Sequence, residues 1–308
     1  MSILIDRIKT SFIYLFLKEH YLKWRVSKNP EAEVDRRYFH SFHKHCNLKN
    51  PKDYIEKIYW LELYSDTSLW SLCADKYRIR EYVGKLGLLQ YMPTLYGHWD
   101  SVSNIDFEKI PNSFVIKANN GSGTVKVVKD KSKTNLNRLK RTLRRWLVLP
   151  FGYVSAQLHY TRIKPCILAE EILHNDYIDL SPDSLVDFKV YCINGEPQFI
   201  WIPYNRVNGH VHMQTYDITW NPKPEYMKNI AHYVYYESDA LIPKPACLDE
   251  MLDIARKLSA CFPQVRVDFY IANGKPIIGE MTFTQGYGFL TDKVYNDLGS
   301  MMDLSKVM

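Results

Sequence analysis

The stretch Val265-Arg266-Val267-Asp268-Phe269-Tyr270-Ile271, then Ala272-Asn273-Gly274-Lys275, then Pro276-Ile277-Ile278-Gly279-Glu280-Met281-Thr282, reads as a β-hairpin. Asn-Gly is the preferred chemistry of a two-residue hairpin turn. Side chains alternate across a strand, so Arg266 and Asp268 share one face. The same alternation puts Ile278, Glu280 and Thr282 on a common face of the returning strand. A suitable register then sets Asp268 beside Glu280, with a guanidinium next to both. Like charges placed opposite each other destabilise a sheet, so this pair calls for a compensating cation. Mg²⁺ carrying phosphate is the natural one, because it is bound by one or two carboxylates plus nucleotide phosphates. A solvated polar face is the plain alternative.

The 308 residues suffice for two or three lobes around a substantial core. Hydrophobic content of 46% and charged content of 24% are those of a soluble globular protein. The cysteines (Cys46, Cys73, Cys166, Cys192, Cys247, Cys261) are scattered without a C-x-x-C pair. That spacing suggests neither a zinc site nor a disulfide framework, and a reducing cytoplasm is the default. No apolar run approaches the roughly 20 residues that span a bilayer. Ile3-Leu4-Ile5 and Phe12-Ile13-Tyr14-Leu15-Phe16-Leu17 are interrupted by Asp6, Arg7 and Lys9, without a small-residue cleavage site. An amphipathic helix on the protein's own core is expected there; peripheral attachment to the inner face of the membrane is the alternative. The net charge is +6, and Lys126 to Arg145 holds nine Lys or Arg against Asp130 alone. Such a run is a solvated face or an attractor of phosphates or an acidic glycan; no nucleic-acid partner is expected.

Residues 1–110 read as a mainly helical region. Tyr54-Ile55-Ile58-Tyr59-Leu61-Leu63 has helical spacing after Asn50-Pro51, and Leu72 to Val83 reads as one further helix carrying Asp75-Lys76. A central lobe, 111–175, holds Phe114-Val115-Ile116-Lys117, the turn Asn119-Asn120-Gly121-Ser122-Gly123, the strand Thr124 to Val128, and a basic amphipathic helix with Leu136, Leu139, Leu143 and Leu147 inward. Cys166-Ile167-Leu168-Ala169 is a short buried strand ending on Glu170-Glu171. A C-terminal lobe, 176–308, runs from Asp187-Phe188-Lys189-Val190-Tyr191 through Asn194-Gly195 to Ile202, then through the helix Leu248 to Phe262 into the hairpin. The fold class is α+β.

The glycine turn is not a Walker loop, since G-x-x-x-x-G-K-[ST] is absent and a strand follows. A glycine loop between strands can fold over phosphates through its backbone N–H groups. Lys117, on an otherwise apolar strand, is costly to bury without a partner, and a nucleotide phosphate is one. Lys117 at a sheet edge, reaching water, is the alternative.

Taken in order, Asp75-Lys76, Lys117 before the glycine loop, Ala169-Glu170-Glu171-Ile172-Leu173, Asp187-Phe188-Lys189, Arg266-Val267-Asp268 and Gly279-Glu280-Met281-Thr282 closely resemble the ATP-grasp superfamily. From Asn50-Pro51-Lys52 to Phe283 the chain resembles its TupA-like branch of bacterial polysaccharide and teichuronopeptide biosynthesis. The likeness covers roughly residues 45–300. It implies ATP clamped between two α+β lobes, preceded by a helical segment. Lys76 and Lys117 match lysines on the ATP phosphates, and Gly121, Ser122 and Gly123 match the mobile loop over them. Glu170, Glu171, Ile172 and Leu173 match the hinge at the adenine edge, with a Glu reaching the ribose. Lys189 matches a basic residue near the transferring phosphoryl, and Arg266 one that stabilises it. Asp268 and Glu280 match Mg²⁺ ligands. Thr282 stands where many relatives have Asn, which leaves the number of metal ions open, and Thr284-Gln285-Gly286 departs from the usual Ser-Pro-Gly turn.

The activity this implies is an ATP-dependent, ADP-forming carboxylate–amine ligase acting through an acyl phosphate. Its partners would be ATP, an acidic sugar or polysaccharide precursor such as a uronic acid of the capsule, and an amine or amino acid. A sugar kinase with Asp187 as base, a nucleotide-sugar-dependent glycosyltransferase and a non-catalytic nucleotide-binding assembly factor are the alternatives. Tyr204-Asn205-Arg206, His210-Val211-His212-Met213 and Tyr216 to Trp220 suit an acceptor site or a core-filling meander. Asp268→Asn and Glu280→Gln are both expected to abolish nucleotide turnover with the fold intact. Lys117→Ala is expected to weaken ATP binding by about 1–3 kcal/mol.

Overall fold

Alternating apolar and polar residues build two sheets in the computed structural model, which describes residues 12–149, 151–154, 156–207 and 209–307. Ile3-Leu4-Ile5 with Asp6, Arg7 and Lys9 lies outside the described residues. The chain divides into two compact units. One takes the described residues up to Asp35, then Thr67–Ile79 and Pro93–Ile172; the other takes Arg36–Asp66, Arg80–Met92 and the chain from Leu173 onward.

In order, the helices are α1 (Phe12–Lys28), α2 (Pro30–Phe42), α3 (Tyr54–Tyr64), α4 (Ser68–Ala74), α5 (Ile79–Lys85), α6 (Leu136–Trp146), α7 (Phe151–Val154), α8 (Leu248–Ser259) and α9 (Asp292–Met301). The strands are β1 (Leu95–Trp99), β2 (Phe114–Ala118), β3 (Val125–Val128), β4 (Ile167–Glu170), β5 (Phe188–Ile193), β6 (Glu196–Val207), β7 (His210–Asp217), β8 (Tyr233–Val234), β9 (Gln264–Ala272) and β10 (Lys275–Thr282).

In the first unit the sheet order is β1-β4-β2-β3. Phe114, Ile116 and Ala118 of β2 point into a core closed by Leu139 and Leu143 of α6, with Leu136 and Leu147 packed at its margin. Val115 and Lys117 take the other face. Because β2 is flanked by β4 and β3, Lys117 is not on an edge strand.

The expected single helix from Leu72 to Val83 is two helices. Asp75 ends α4 in extended geometry, and its Oδ1 accepts from the backbone N–H of Tyr77 and Arg78. A short Asp side chain that bonds backbone two and three residues ahead competes with helix continuation. Lys76 therefore sits in a turn between helices rather than on one.

In the second unit the order is β10-β9-β5-β6-β7-β8, antiparallel except for the β7–β8 pair. α8 packs on β5, β6 and β9 through Leu248, Met251, Leu252, Ala255 and Leu258. α3 starts at Asp53 rather than Asn50-Pro51, with a capping box in which Asp53 accepts from Glu56 N–H and Glu56 from Asp53 N–H.

Candidate active site

Asn273 and Gly274 both have positive φ, as a two-residue turn of this kind requires, and they pair Ala272 with Lys275. The ladder then runs regularly to Ile278 opposite Phe269. Here the structure corrects the sequence reading. A bulge at Gly279 shifts the register by one, so Glu280 faces Asp268 and Thr282 faces Arg266. Ile278 stays with Phe269 in the core, on the opposite face from Glu280. A Cβ on residue 279 would lie 3.0 Å from the Tyr270 ring and 3.2 Å from the Asp268 carbonyl oxygen, so the bulge suits glycine.

Two side-chain rows result. Glu280, Asp268 and Lys189 lie across β10, β9 and β5, and Thr282, Arg266 and Tyr191 form the neighbouring row. Arg266 grips Asp268 with two bonds, Nε to Oδ1 at 2.6 Å and Nη2 to Oδ2 at 2.7 Å. Lys189 Nζ donates to Oδ2 at 2.5 Å and lies 3.6 Å from Asp187, which Arg206 also holds at 2.7 Å. Arg266 Nη2 also donates to the Thr282 hydroxyl, which donates to Glu280 at 3.4 Å; Arg266 lies 3.9 Å from Glu280. Burial works against the Lys189 and Arg266 charges, but the facing carboxylates outweigh it and hold both pKa values above their usual ranges. Burial pushes the Tyr191 phenol up to about 12.

The donor set fits Mg²⁺ in its chemistry, since hard oxygen ligands are what that ion takes. Glu280 is the most open carboxylate of the row, its side chain 32% exposed. Asp268 Oδ2 already accepts two bonds and Oδ1 one, which leaves a lone pair on Oδ1. Thr282 is engaged on both sides, so its position suits orienting Glu280 more than ligation.

In the first unit, Lys117 Nζ pairs with Glu170 at 2.5 Å, and both are largely buried. The partner that the buried lysine required is thus a protein carboxylate from the neighbouring strand. Lys76 Nζ donates to the Gly121 carbonyl oxygen at 2.7 Å, and its backbone N–H to Asn119 O at 2.9 Å. Gly121 and Gly123 have φ of +79° and +74°, and a Cβ on Gly121 would run into the Phe151 ring. Ser122 and Gly123 are exposed at the loop tip. Glu171 Oε1 accepts from Thr94 N–H, and its own N–H donates to Thr94 O; Ile172 is exposed and Leu173 half-buried.

Sequence reasoning missed Asn119. Its amide donates to Asp75 Oδ2 and to Lys164 O, both at 2.9 Å, and its Oδ1 accepts from Cys166 N–H at 2.7 Å. This buried side chain nails the start of the glycine loop to the α4–α5 turn and to β4. A second Asn beside turn-forming glycines masked it in the sequence. The Gly279 bulge did leave a signal, a glycine inside a strand pattern. Of the two histidines, His210 donates from Nδ1 to the Ala231 carbonyl oxygen at 3.1 Å, and His212 pairs with Asp239 at 2.7 Å. Among the described residues, no group of three His, Cys, Asp or Glu could hold a metal.

A search of curated proteins gives no match. Among solved structures, a D-alanine–D-alanine ligase from Bacillus anthracis complexed with ATP is similar, at 15% identity over 77% of this chain and 66% of that one (TM-score 0.44). The ATP-grasp ligase PsnB complexed with a precursor variant, Mg and ADP gives 11% identity over 77% and 60% (TM-score 0.39). A phosphoribosylamine–glycine ligase from Thermotoga maritima gives 12% over 71% and 49% (TM-score 0.41). The chain thus spans between about half and two thirds of these proteins. Residues 56–302 match the family model of the TupA-like ATP-grasp proteins, so the chain belongs to that family.

Proposed function

We propose that this enzyme joins a carboxylate to an amine through an acyl phosphate. The observation that carries the reading is the Glu280–Asp268–Lys189 row with Arg266 and Thr282 beside it. A substrate carboxylate oxygen attacks the γ-phosphorus of ATP, the bond to the β–γ bridging oxygen breaks, and ADP leaves. The amine then adds to the acyl carbon, the carbon–oxygen bond to phosphate breaks, and inorganic phosphate leaves; the surplus amine proton goes to solvent.

Such chemistry needs alignment and positive charge more than covalent help. Lys76 and Lys117 bind phosphate oxygens in this reading, with Glu170 as the standing counter-charge of Lys117. Glu170 is therefore committed, and Glu171, with Oε2 outside its bond to Thr94, is the better carboxylate for the ribose. Ile172 and Leu173 offer backbone to the adenine edge, and Gly121, Ser122 and Gly123 offer backbone N–H groups to phosphate. Arg266 Nη1, which makes none of the bonds to Asp268, meets the transferring phosphoryl group. Lys189, held between Asp187 and Asp268, acts as a positioning residue for Asp268. Mg²⁺, held by Glu280 and Asp268 Oδ1, would neutralise phosphate charge and polarise the γ-phosphoryl group.

The acceptor is an acidic sugar of a bacterial surface polysaccharide, a reading supported by the exposed Arg138, Arg141, Arg144 and Arg145 of α6. A kinase would need Asp187 as base, but Arg206 and Lys189 both occupy it, which favours the ligase. The test is ADP release from ATP and Mg²⁺ with a panel of uronic acids and amines. ADP release that needs both a carboxylate and an amine supports the reading. ADP release with a neutral sugar and no amine assigns a kinase, and binding of a UDP-sugar without binding of an ATP analogue assigns a glycosyltransferase.

A further inference from the structure

The first helix has two apolar faces. Leu22 and Val26 of α1 are buried, 7% and 1% exposed, and fix one face against the protein. On the other face Phe16, Leu17, Tyr21 and Trp24 are exposed at 49%, 61%, 55% and 59%. At 100° per residue these four fall on the side opposite Leu22 and Val26; the exposed His20 and Ser27 lie among them, Lys23 borders them on one side, and Lys28 lies one turn beyond Trp24. Own-core packing thus accounts for one face only. Water has no use for four large apolar side chains on one short helix, and a contiguous patch of this kind marks an interaction surface.

We propose that this face of α1 docks on an anionic lipid surface. The charges single out the occupant. The helix carries Lys18, Lys23, Arg25 and Lys28 against Glu19 alone. Arg25 is spent on Glu33 at 3.0 Å, which leaves the exposed Lys23 at the side of the apolar strip and Lys28 at its C-terminal end. Lys28 Nζ lies 5.2 Å over the Trp24 ring, so the amphipathic indole and the ammonium form one interfacial unit. Trp, Tyr, Phe and Leu bordered by lysines are the composition of a helix lying in the headgroup plane. No helix among the described residues is long and apolar enough to cross a membrane, so the helix lies on the surface. A second copy of the chain is the weaker occupant, since a stable interface uses roughly 20–30 residues a side and this face offers four large apolar ones.

The test is co-sedimentation of the full chain with vesicles of phosphatidylcholine alone and of phosphatidylcholine mixed with phosphatidylglycerol. The chain is expected to bind the mixed vesicles, more weakly at high salt, and not the neutral ones. Lys23→Gln with Lys28→Gln is expected to weaken binding about 25-fold, about fivefold for each basic residue near an anionic surface. Leu17→Glu with Trp24→Glu is expected to weaken it by more than about tenfold through loss of apolar insertion. All four positions are exposed, so the melting temperature should not move; if the glutamate pair fails to fold, the lysine pair decides. Absence of binding to the mixed vesicles, or equal binding by both variant pairs, overturns the proposal. A concentration-dependent dimer dissolved by Leu17→Glu with Trp24→Glu would assign the face to a second copy and overturn it too.

Discussion

Asp268→Asn and Glu280→Gln look equivalent in the sequence, yet the structure predicts that they fail differently. Asp268 is 4% exposed at its side chain and is the shared counter-ion of two buried cations, Arg266 and Lys189. Replacing it with Asn leaves Arg266 with Glu280 at 3.9 Å, and Lys189 with an Asp187 already held by Arg206. Removing one partner from a buried pair costs about 3–5 kcal/mol, because the remaining charge stays buried. For a unit of this size that is a fall in melting temperature of about 6–20 °C. Glu280 is a third exposed, its contacts with Thr282 and Arg266 are long, and it faces a like charge across the ladder. Glu280→Gln should therefore change stability by less than about 1 kcal/mol. It should still lower Mg²⁺-dependent ATP turnover by at least about a hundredfold, the upper end of what outer-shell changes around a metal cause. Thermal unfolding of both variants, beside ADP release across a Mg²⁺ titration, checks the argument. If Asp268→Asn melts with the parent protein, or Glu280→Gln melts as far below it as Asp268→Asn, the assignment of Asp268 as internal counter-ion is refuted. Near-normal turnover by Glu280→Gln would sink the metal role.

Lys117→Ala removes the buried counter-charge of Glu170 in the first unit, so it should destabilise as well as weaken ATP binding. Adding Glu170→Gln should recover stability but not ATP affinity, with a coupling of about 0.5–3 kcal/mol in a double-mutant cycle by urea unfolding; additive costs would disprove the pairing. Gly279→Ala crowds the Tyr270 ring and the Asp268 carbonyl and should cost about 1–3 kcal/mol, read as a lowered urea midpoint. Asp75→Asn turns the bond from Asn119 into a donor–donor clash and should cost about 1–3 kcal/mol. Burial raises the Asp75 pKa above 3.8 despite its three hydrogen bonds, so the folded state binds that proton more tightly than the unfolded one. Stability from this group therefore rises as pH falls through the raised value toward 3.8, and the gap between parent and Asp75→Asn should widen over that window. A gap that narrows toward acid would contradict the sign.

How much was legible follows from how local each signal is. The hairpins at Asn194-Gly195 and Asn273-Gly274 are written in two adjacent residues, and the structure has both with positive φ at each position. The inward leucines of α6 follow from helical spacing, and Leu139 and Leu143 are buried. The partner of Lys117 was not legible, because Glu170 lies 53 positions on and meets it only through the β2–β4 pairing. Nor was the break at Asp75, whose side chain competes with the backbone where the apolar period alone continues. The face of Glu280 turned on one bulged residue, since a shift of one flips every later side chain. A regular ladder would have put Glu280 with Ile278, and the metal reading would have had one carboxylate.

The same bulge bears on why the charged rows exist at all. Replacing a buried ion network by well-packed apolar residues is often neutral or stabilising by about 1–4 kcal/mol, so such a network is weak evidence of a structural role. Here Lys189, Arg266, Asp187 and Asp268 occupy central strands or the start of one, flanked by Phe188, Val190, Val267 and Phe269, all buried. The one member of the rows that stays open to water is Glu280, and the buried members bond toward it: Thr282 donates to it, and Arg266 holds both Thr282 and Asp268. In the proposed reading, a scaffold that holds one exposed carboxylate next to a fixed second one stabilises the protein little, but it would keep both oxygens aimed at a cation. That is the preorganisation which electrostatic catalysis requires, since groups already oriented need no rearrangement as charge develops.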